Sequence, residues 1–253
     1  MTKNDTALFA AIDLPAAFGL LTRLPMRIDT DAAMARGAAS AWAYPVVGAF
    51  LGAGAALVAG CAGWIGLGPG ITAGIVLAFG IIVTGAMHED GLADSADGLW
   101  GGWERVRRLE IMKDSRIGVY GVCAIGLSLL LRWAALAAIL QTEIFWAALI
   151  AIGALSRATM VVLMTTLAHA RQTGLSRSVG RPGAKTAWTA VGFAVAVVIL
   201  SGFPGALLVA GLATLVCGVI ARNKIGGQTG DILGATQQVS EVVLLISVAA
   251  TVA

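Results

Sequence analysis

Asp90, Asp94 and Asp97 stand at i, i+4 and i+7 in the stretch MHEDGLADSADGLW, residues 87–100. On a helix, turning about 100° per residue, they fall within about 60° of one another, on one face. Three aligned carboxylates repel and are stable together only when hydrated, paired with cations or bound to metal. An oxygen-only set suits Mg²⁺, which keeps several waters and is commonly shared with substrate phosphates. A solvated acidic patch is the alternative. Glu89 lies about 100° off that face, placed to serve a second metal or to cap the apolar segment before it. His88 is on the far side from Asp94 and suits a hydrogen-bonded anchor as well as a catalytic group. Gly98 is expected to end this helix, and the neighbouring glycines to make the region pliable. Arg107, Glu110 and Asp114 follow at i, i+3 and i+7, flanked by Lys113 and Arg116. Basic side chains beside a carboxylate–metal cluster would neutralise a polyphosphate leaving group; ordinary surface ion pairs are the other reading.

Further groups lie along the chain. Arg132 and Arg157 sit inside apolar runs, where a buried guanidinium is costly and must face the bundle interior or a wet cavity. Arg157 and Arg171 are expected as anion contacts, with interhelix pairing as the alternative. The loop Gly226-Gly227-Gln228-Thr229-Gly230-Asp231 runs into a helix, and glycines there expose backbone N–H groups to an anion. Asp231, Gly234, Gln238 and Glu241 share a stripe of about 80° on that helix, a polar stripe that suggests a lined cavity.

The elements that must position these groups are apolar. Of 253 residues, 58% are hydrophobic and only 12% charged, against about a quarter charged in soluble domains. The fold class is therefore an all-α, polytopic integral membrane helical bundle, residues 1–253 forming one transmembrane domain with a catalytic loop at 87–118. Seven spans are expected, beginning near 42, 71, 119, 144, 187, 204 and 231. Residues 7–24, interrupted by Asp13 and Pro15, read as an N-terminal interfacial or re-entrant helix. With this topology fifteen of the 17 Lys and Arg residues fall on the side of the N-terminus, which places that side and the loop 87–118 in the cytoplasm. The net charge of +3 thus reflects topology, not a nucleic-acid surface. Three scattered cysteines have no metal spacing, and the N-terminus shows no cleaved signal peptide. Gly48 and Gly52 form a GxxxG, which admits a close helix neighbour and permits a homo-oligomer.

HEDGLADSADG (88–98), followed by RRLEIMKDSRIGVYG (107–121), resembles the signature of the cobalamin synthase family, the membrane adenosylcobinamide-GDP ribazoletransferases. LLTRLPM (20–26), YPVVGAFLG (44–52), Arg157 to Gly174 and GGQTGDILGATQQVSEVVLL (226–245) resemble its other blocks, in order. LAHAR at 167–171 departs from the family's Pro-Tyr-Ala-Arg pattern, although Arg171 is kept. The resemblance implies a Mg²⁺-dependent transferase of the bacterial inner membrane. A hydroxyl of α-ribazole, or of its 5′-phosphate, attacks the cobinamide-linked phosphoryl of adenosylcobinamide-GDP, and GMP leaves. In that reading Asp90, Asp94 and Asp97 hold metal, while Lys113 and Arg116 stabilise the departing GMP. Asp114, Glu89 or His88 takes the proton. Arg107, Arg157, Arg171, Gly227, Asp231, Gln238 and Glu241 contact substrate. The rivals are an aspartate-using membrane phosphotransferase of the CDP-alcohol type, and a corrinoid or anion transporter. Against the first, Asp94 follows Ala93 where that family's DG-x-x-A-R core has Arg. Against the second, most carboxylates lie outside the apolar runs.

Overall fold

The computed structural model describes residues 7–252. Its regular secondary structure is helical, in the order α1 (Asp13–Leu21), α2 (Thr30–Arg36), a 3-10 helix (Gly37–Ala43), α3 (Tyr44–Trp64), α4 (Pro69–Thr84), α5 (Met87–Gly101), α6 (Arg105–Ile111), α7 (Val119–Ile139), α8 (Phe145–Thr166), α9 (Leu175–Val179), α10 (Ala184–Leu200), α11 (Gly205–Ile225) and α12 (Gly230–Ala249). Each of the seven expected spans forms a helix, but five helical segments are individually long and apolar enough to cross a membrane, six if α4 and α5 are one bent span. At 17 residues, α10 is a shorter apolar helix. The expected second span therefore differs in kind: α4 and α5 meet at 88°. The cause is local. Gly85 and Ala86 are both left-handed, with φ of 65° and 56°, and the Ala86 N–H closes back on Ile81 O at 2.9 Å, so α4 ends in a left-handed cap and the chain leaves at a right angle.

α8 is the axis of the bundle, buried on nearly every face. Small residues let α3 lie directly on it. A Cβ on Gly48 or Gly52 would overlap the backbone carbonyls of Gly153 or Leu149, and one on Gly153 would overlap that of Gly48. Dispersion and close backbone contact drive helix association in lipid, and this GxxxG is used inside the chain.

α1, only nine residues long, spans about 14 Å and cannot cross the bilayer. A buried ion pair fixes it. Arg36 Nε donates to Asp13 Oδ1 at 2.6 Å and its Nη2 to Oδ2 at 3.0 Å, while Trp42 Nε1 donates to Oδ2 at 2.8 Å. Both side chains are almost inaccessible. Asp13→Asn removes the carboxylate charge that two Arg36 nitrogens donate to in this buried pair. The expected cost is about 3–5 kcal/mol, read as a lowered thermal midpoint in detergent, and an unchanged midpoint would refute the assignment.

Residues 87–118 contain the acidic helix and the mixed-charge helix that the spacing predicts, α5 and α6, followed by a non-helical segment. α5 runs past Gly98 to Gly101, because that glycine does not break the helix but receives α6: a Cβ there would lie 2.8 Å from Arg108 O and would overlap Met112. Close packing, not pliability, is what the glycines supply.

Candidate active site

Gly91 on α5 and Gly234 on α12 bring two helix backbones together. A Cβ on Gly91 would stand 2.8 Å from Asp231 O, and one on Gly234 3.4 Å from His88 Cα. The approach places Asp90 and Asp94 of α5 beside Asp231 in the first turn of α12. Thr229 caps α12, its Oγ1 accepting from Ile232 N at 3.2 Å and donating to Asp231 Oδ2 at 3.2 Å. The loop before it pairs with the segment after α8: Gln228 N donates to Ala168 O at 2.8 Å and Ala170 N to Gln228 O at 2.9 Å. Gly227 has to be glycine here, because a Cβ would overlap Ala168 O. The pairing carries Arg171 to Asp231, with Nη1 donating to Oδ2 at 3.1 Å, while Nη2 reaches Leu109 O at 3.2 Å.

Asp90 is exposed, and Asp94 and Asp231 are half-buried. Asp94 lies in the field of Asp90 and Asp231, and more weakly of Asp97, with Arg171 as counter-charge. Asp97 departs from the expected metal role: Gly118 N and Gly121 N donate to its two oxygens at 2.7 and 2.9 Å. It satisfies the first free amides of α7 and faces that helix's positive end. Among the described residues no three His, Cys, Asp or Glu side chains converge closely enough to hold a metal by themselves.

Beside the carboxylates is a cavity of 220 Å³ lined on one side by His88, Asp90, Arg171 and Asp231. His88 is 1% exposed, and neither ring nitrogen has a hydrogen-bond partner. Its polar wall continues through residues that sequence reasoning did not single out. Ser176 Oγ donates to Gln228 Oε1 at 2.6 Å and lies 3.2 Å from His169 Nδ1. Only the departure at His169 hinted at this wall. Gln228 was named only as part of the glycine loop before α12, and nothing in the spacing pointed to Ser176.

Behind the cavity Glu89, Arg132, Arg157, Gln238 and Glu241 form a buried network. Glu89 Oε1 accepts from Arg132 Nη2 at 3.1 Å and Gln238 Nε2 at 3.2 Å. Glu241 accepts from Arg132 at 3.2 Å, Arg157 at 3.1 Å and Gln237 at 2.5 Å. Two acids balance two guanidiniums across α5, α7, α8 and α12. Arg157, Gln238, Glu241 and Glu89, expected at substrate or proton transfer, are paired between helices and do not line this cavity, while Arg157 and Glu241 line a smaller one of 70 Å³.

Arg107, Lys113, Asp114 and Arg116 are exposed and also do not line it. Arg107 pairs with Glu110 at 3.1 Å, and Arg116 with Asp114 at 2.8 Å. Hydrogen bonds from the Arg116 side chain and backbone hold the Asp114 carboxyl at about 2. A carboxylate held there stays ionised through the neutral range and is a poor acceptor for a hydroxyl proton.

Basic residues of α6 and α11 tie neighbouring segments together near the site. Arg105 donates to Ala170 O at 3.2 Å, Arg108 to Lys224 O at 3.0 Å, and Lys224 to Leu99 O at 2.9 Å.

The family model for cobalamin-5-phosphate synthase matches residues 13–249, from α1 to the end of α12. The chain belongs to the cobalamin-5-phosphate synthase family. Curated relatives agree over similar lengths. The chain is 45% identical over 244 residues to the adenosylcobinamide-GDP ribazoletransferase of Bradyrhizobium diazoefficiens, covering 94% of this chain and 93% of the relative. It is 40% identical over 237 residues to the protein of that name in Mesorhizobium japonicum, covering 92% and 91%. No solved structure matches. The cavity is therefore built wholly within the part of the chain that the family shares.

Proposed function

We propose that this chain is an adenosylcobinamide-GDP ribazoletransferase acting at the cavity between α5 and α12. The observation that carries the reading is the family match over 13–249, which includes every element lining that cavity. A hydroxyl of α-ribazole, or of its 5′-phosphate, attacks the cobinamide-linked phosphoryl of adenosylcobinamide-GDP. The new O–P bond forms as the diphosphate bridge breaks, and GMP departs with the bonding electron pair. The hydroxyl proton passes to solvent water, and adenosylcobalamin or its 5′-phosphate results.

Mg²⁺ fits the donor set in a particular way. Asp90 and Asp94 offer carboxylate oxygens only, and Mg²⁺ uses one or two protein carboxylates together with substrate phosphates and water. A pair of aspartates that is no closed cage by itself suits an ion arriving with a diphosphate. Bound there, it would neutralise charge on the transferring phosphoryl group. The chain's own residues position the reactants. Arg171 holds Asp231 in place and adds positive charge beside the diphosphate, and Thr229 fixes the Asp231 rotamer. Lys113 and Arg116, on the exposed segment after α6, meet the guanosine phosphate as it leaves.

The gathering of basic residues from α6 and the end of α11 near the site supports a cytoplasmic orientation of that side in a bacterial inner membrane. The N-terminus, expected on the same side, begins outside the described residues.

The test is GMP release from adenosylcobinamide-GDP by the purified chain in proteoliposomes, with and without α-ribazole. Release that depends on α-ribazole is expected. No release, together with corrinoid uptake into the vesicles, would establish the carrier instead.

A further inference from the structure

The cavity lining is chemically of three kinds. Asp90, Asp231 and Arg171 are charged. Leu21, Tyr44, Met160, Met164 and Leu233 form an apolar floor, all at most 5% exposed. His169, Ser176 and Gln228 form a hydrogen-bonded polar group in the same lining. At 220 Å³ the cavity is small beside ligand sites of about 300–1,000 Å³. A corrin ring with its amide side chains cannot enter it, whereas a nucleoside-sized group can.

Resting on the proposed reaction, we infer that this recess is the acceptor's: the benzimidazole base of α-ribazole lies on the Met160–Met164–Leu233 floor, its ribose hydroxyls meet His169, Ser176 and Gln228, and the attacking hydroxyl faces Asp90 and Asp231. The competing occupant is the guanine of the other substrate. A benzimidazole presents an apolar carbocyclic edge, so burying it leaves few polar atoms unpaired. Guanine would carry its O6, N1 and N2 into a floor of aliphatic and thioether groups, each unpaired group costing about 1–3 kcal/mol. Thioether sulfurs also make favourable contacts with aromatic rings and adapt to flat shapes. The corrinoid then stays outside, presenting only its diphosphate to the aspartates.

The experiment measures both Michaelis constants on the full chain in proteoliposomes for wild type, Met164→Gln and Leu233→Thr, the two substitutions lying on different helices. Each variant is expected to raise KM for α-ribazole at least about tenfold and to leave KM for adenosylcobinamide-GDP unchanged. A rise confined to adenosylcobinamide-GDP would seat guanine in the recess, and wild-type values for both would empty it of substrate; either result overturns the inference. Equilibrium binding of α-ribazole, followed by its own fluorescence, is the second readout. Binding by wild type that weakens about tenfold in the variants supports the recess even if no GMP is released, an outcome that would sink only the transferase reading. Wild-type binding that both variants retain at full affinity refutes the recess alone.

Discussion

Asp90→Asn is expected to lower turnover by about 10²–10³-fold while the protein folds and inserts normally. The side chain is exposed, has no protein hydrogen-bond partner that must be kept, and lines the cavity beside Asp231 and Arg171. Asparagine keeps its shape and removes one negative oxygen from the place where the diphosphate and its Mg²⁺ are proposed to sit. The contrast within α5 makes the result diagnostic. Asp97, seven residues on, gives both oxygens to the amides of Gly118 and Gly121. Asp97→Asn keeps one acceptor and loses the charge at the start of α7, so stability should fall, by about 1–2 kcal/mol, with turnover per folded molecule largely kept. GMP release and a thermal midpoint, measured on both variants, check the pair. Equal losses of turnover in the two variants would return Asp97 to the metal site.

Glu241→Ala should unfold the bundle more readily than any single change at the cavity. It strips Arg132 and Arg157 of the carboxylate they share, leaving two buried guanidiniums against Glu89 alone. Breaking a buried pair in this way costs about 3–5 kcal/mol. The double variant Glu241→Leu with Arg157→Met restores the balance, with Arg132 still facing Glu89. It should recover much of the loss, because replacing a whole buried ion pair by apolar groups is often neutral. Thermal unfolding in detergent distinguishes the two. A double variant no more stable than Glu241→Ala would show that the network is not organised around charge balance.

The apolar helices, the arginines that must face inward and the division of 87–118 into an acidic helix and a mixed-charge helix were all legible in the sequence. They rest on hydropathy and helical period, which one chain displays fully. The roles of single polar residues were less so. Asp90, Asp94 and Asp97 are indistinguishable by type and spacing; what separates them is that α7 begins where Asp97 points. Glu241 and Asp231 share a stripe, yet the stripe passes from the cavity into the network within three turns of α12. The apolar floor gave no signal, since Met160 and Met164 in an apolar run are ordinary core residues until a cavity is found above them. The right-angle turn after α4 was not legible, because hydropathy along the sequence does not reveal a change of direction.

That turn has a further consequence. Helical azimuth accumulates at about 100° per residue, so the direction in which every α5 side chain points is counted from Gly85 and Ala86. One residue inserted at this elbow would rotate Asp90 and Asp94 by more than a quarter-turn about α5, away from Asp231. It would also move Gly91 off the α12 backbone that it alone is small enough to touch. One residue added among 113–116, beyond α6, would turn no α5 side chain, although it would shift Lys113 and Arg116. The two left-handed residues therefore act as the phase reference of the site, and length variation should be forbidden at the elbow itself.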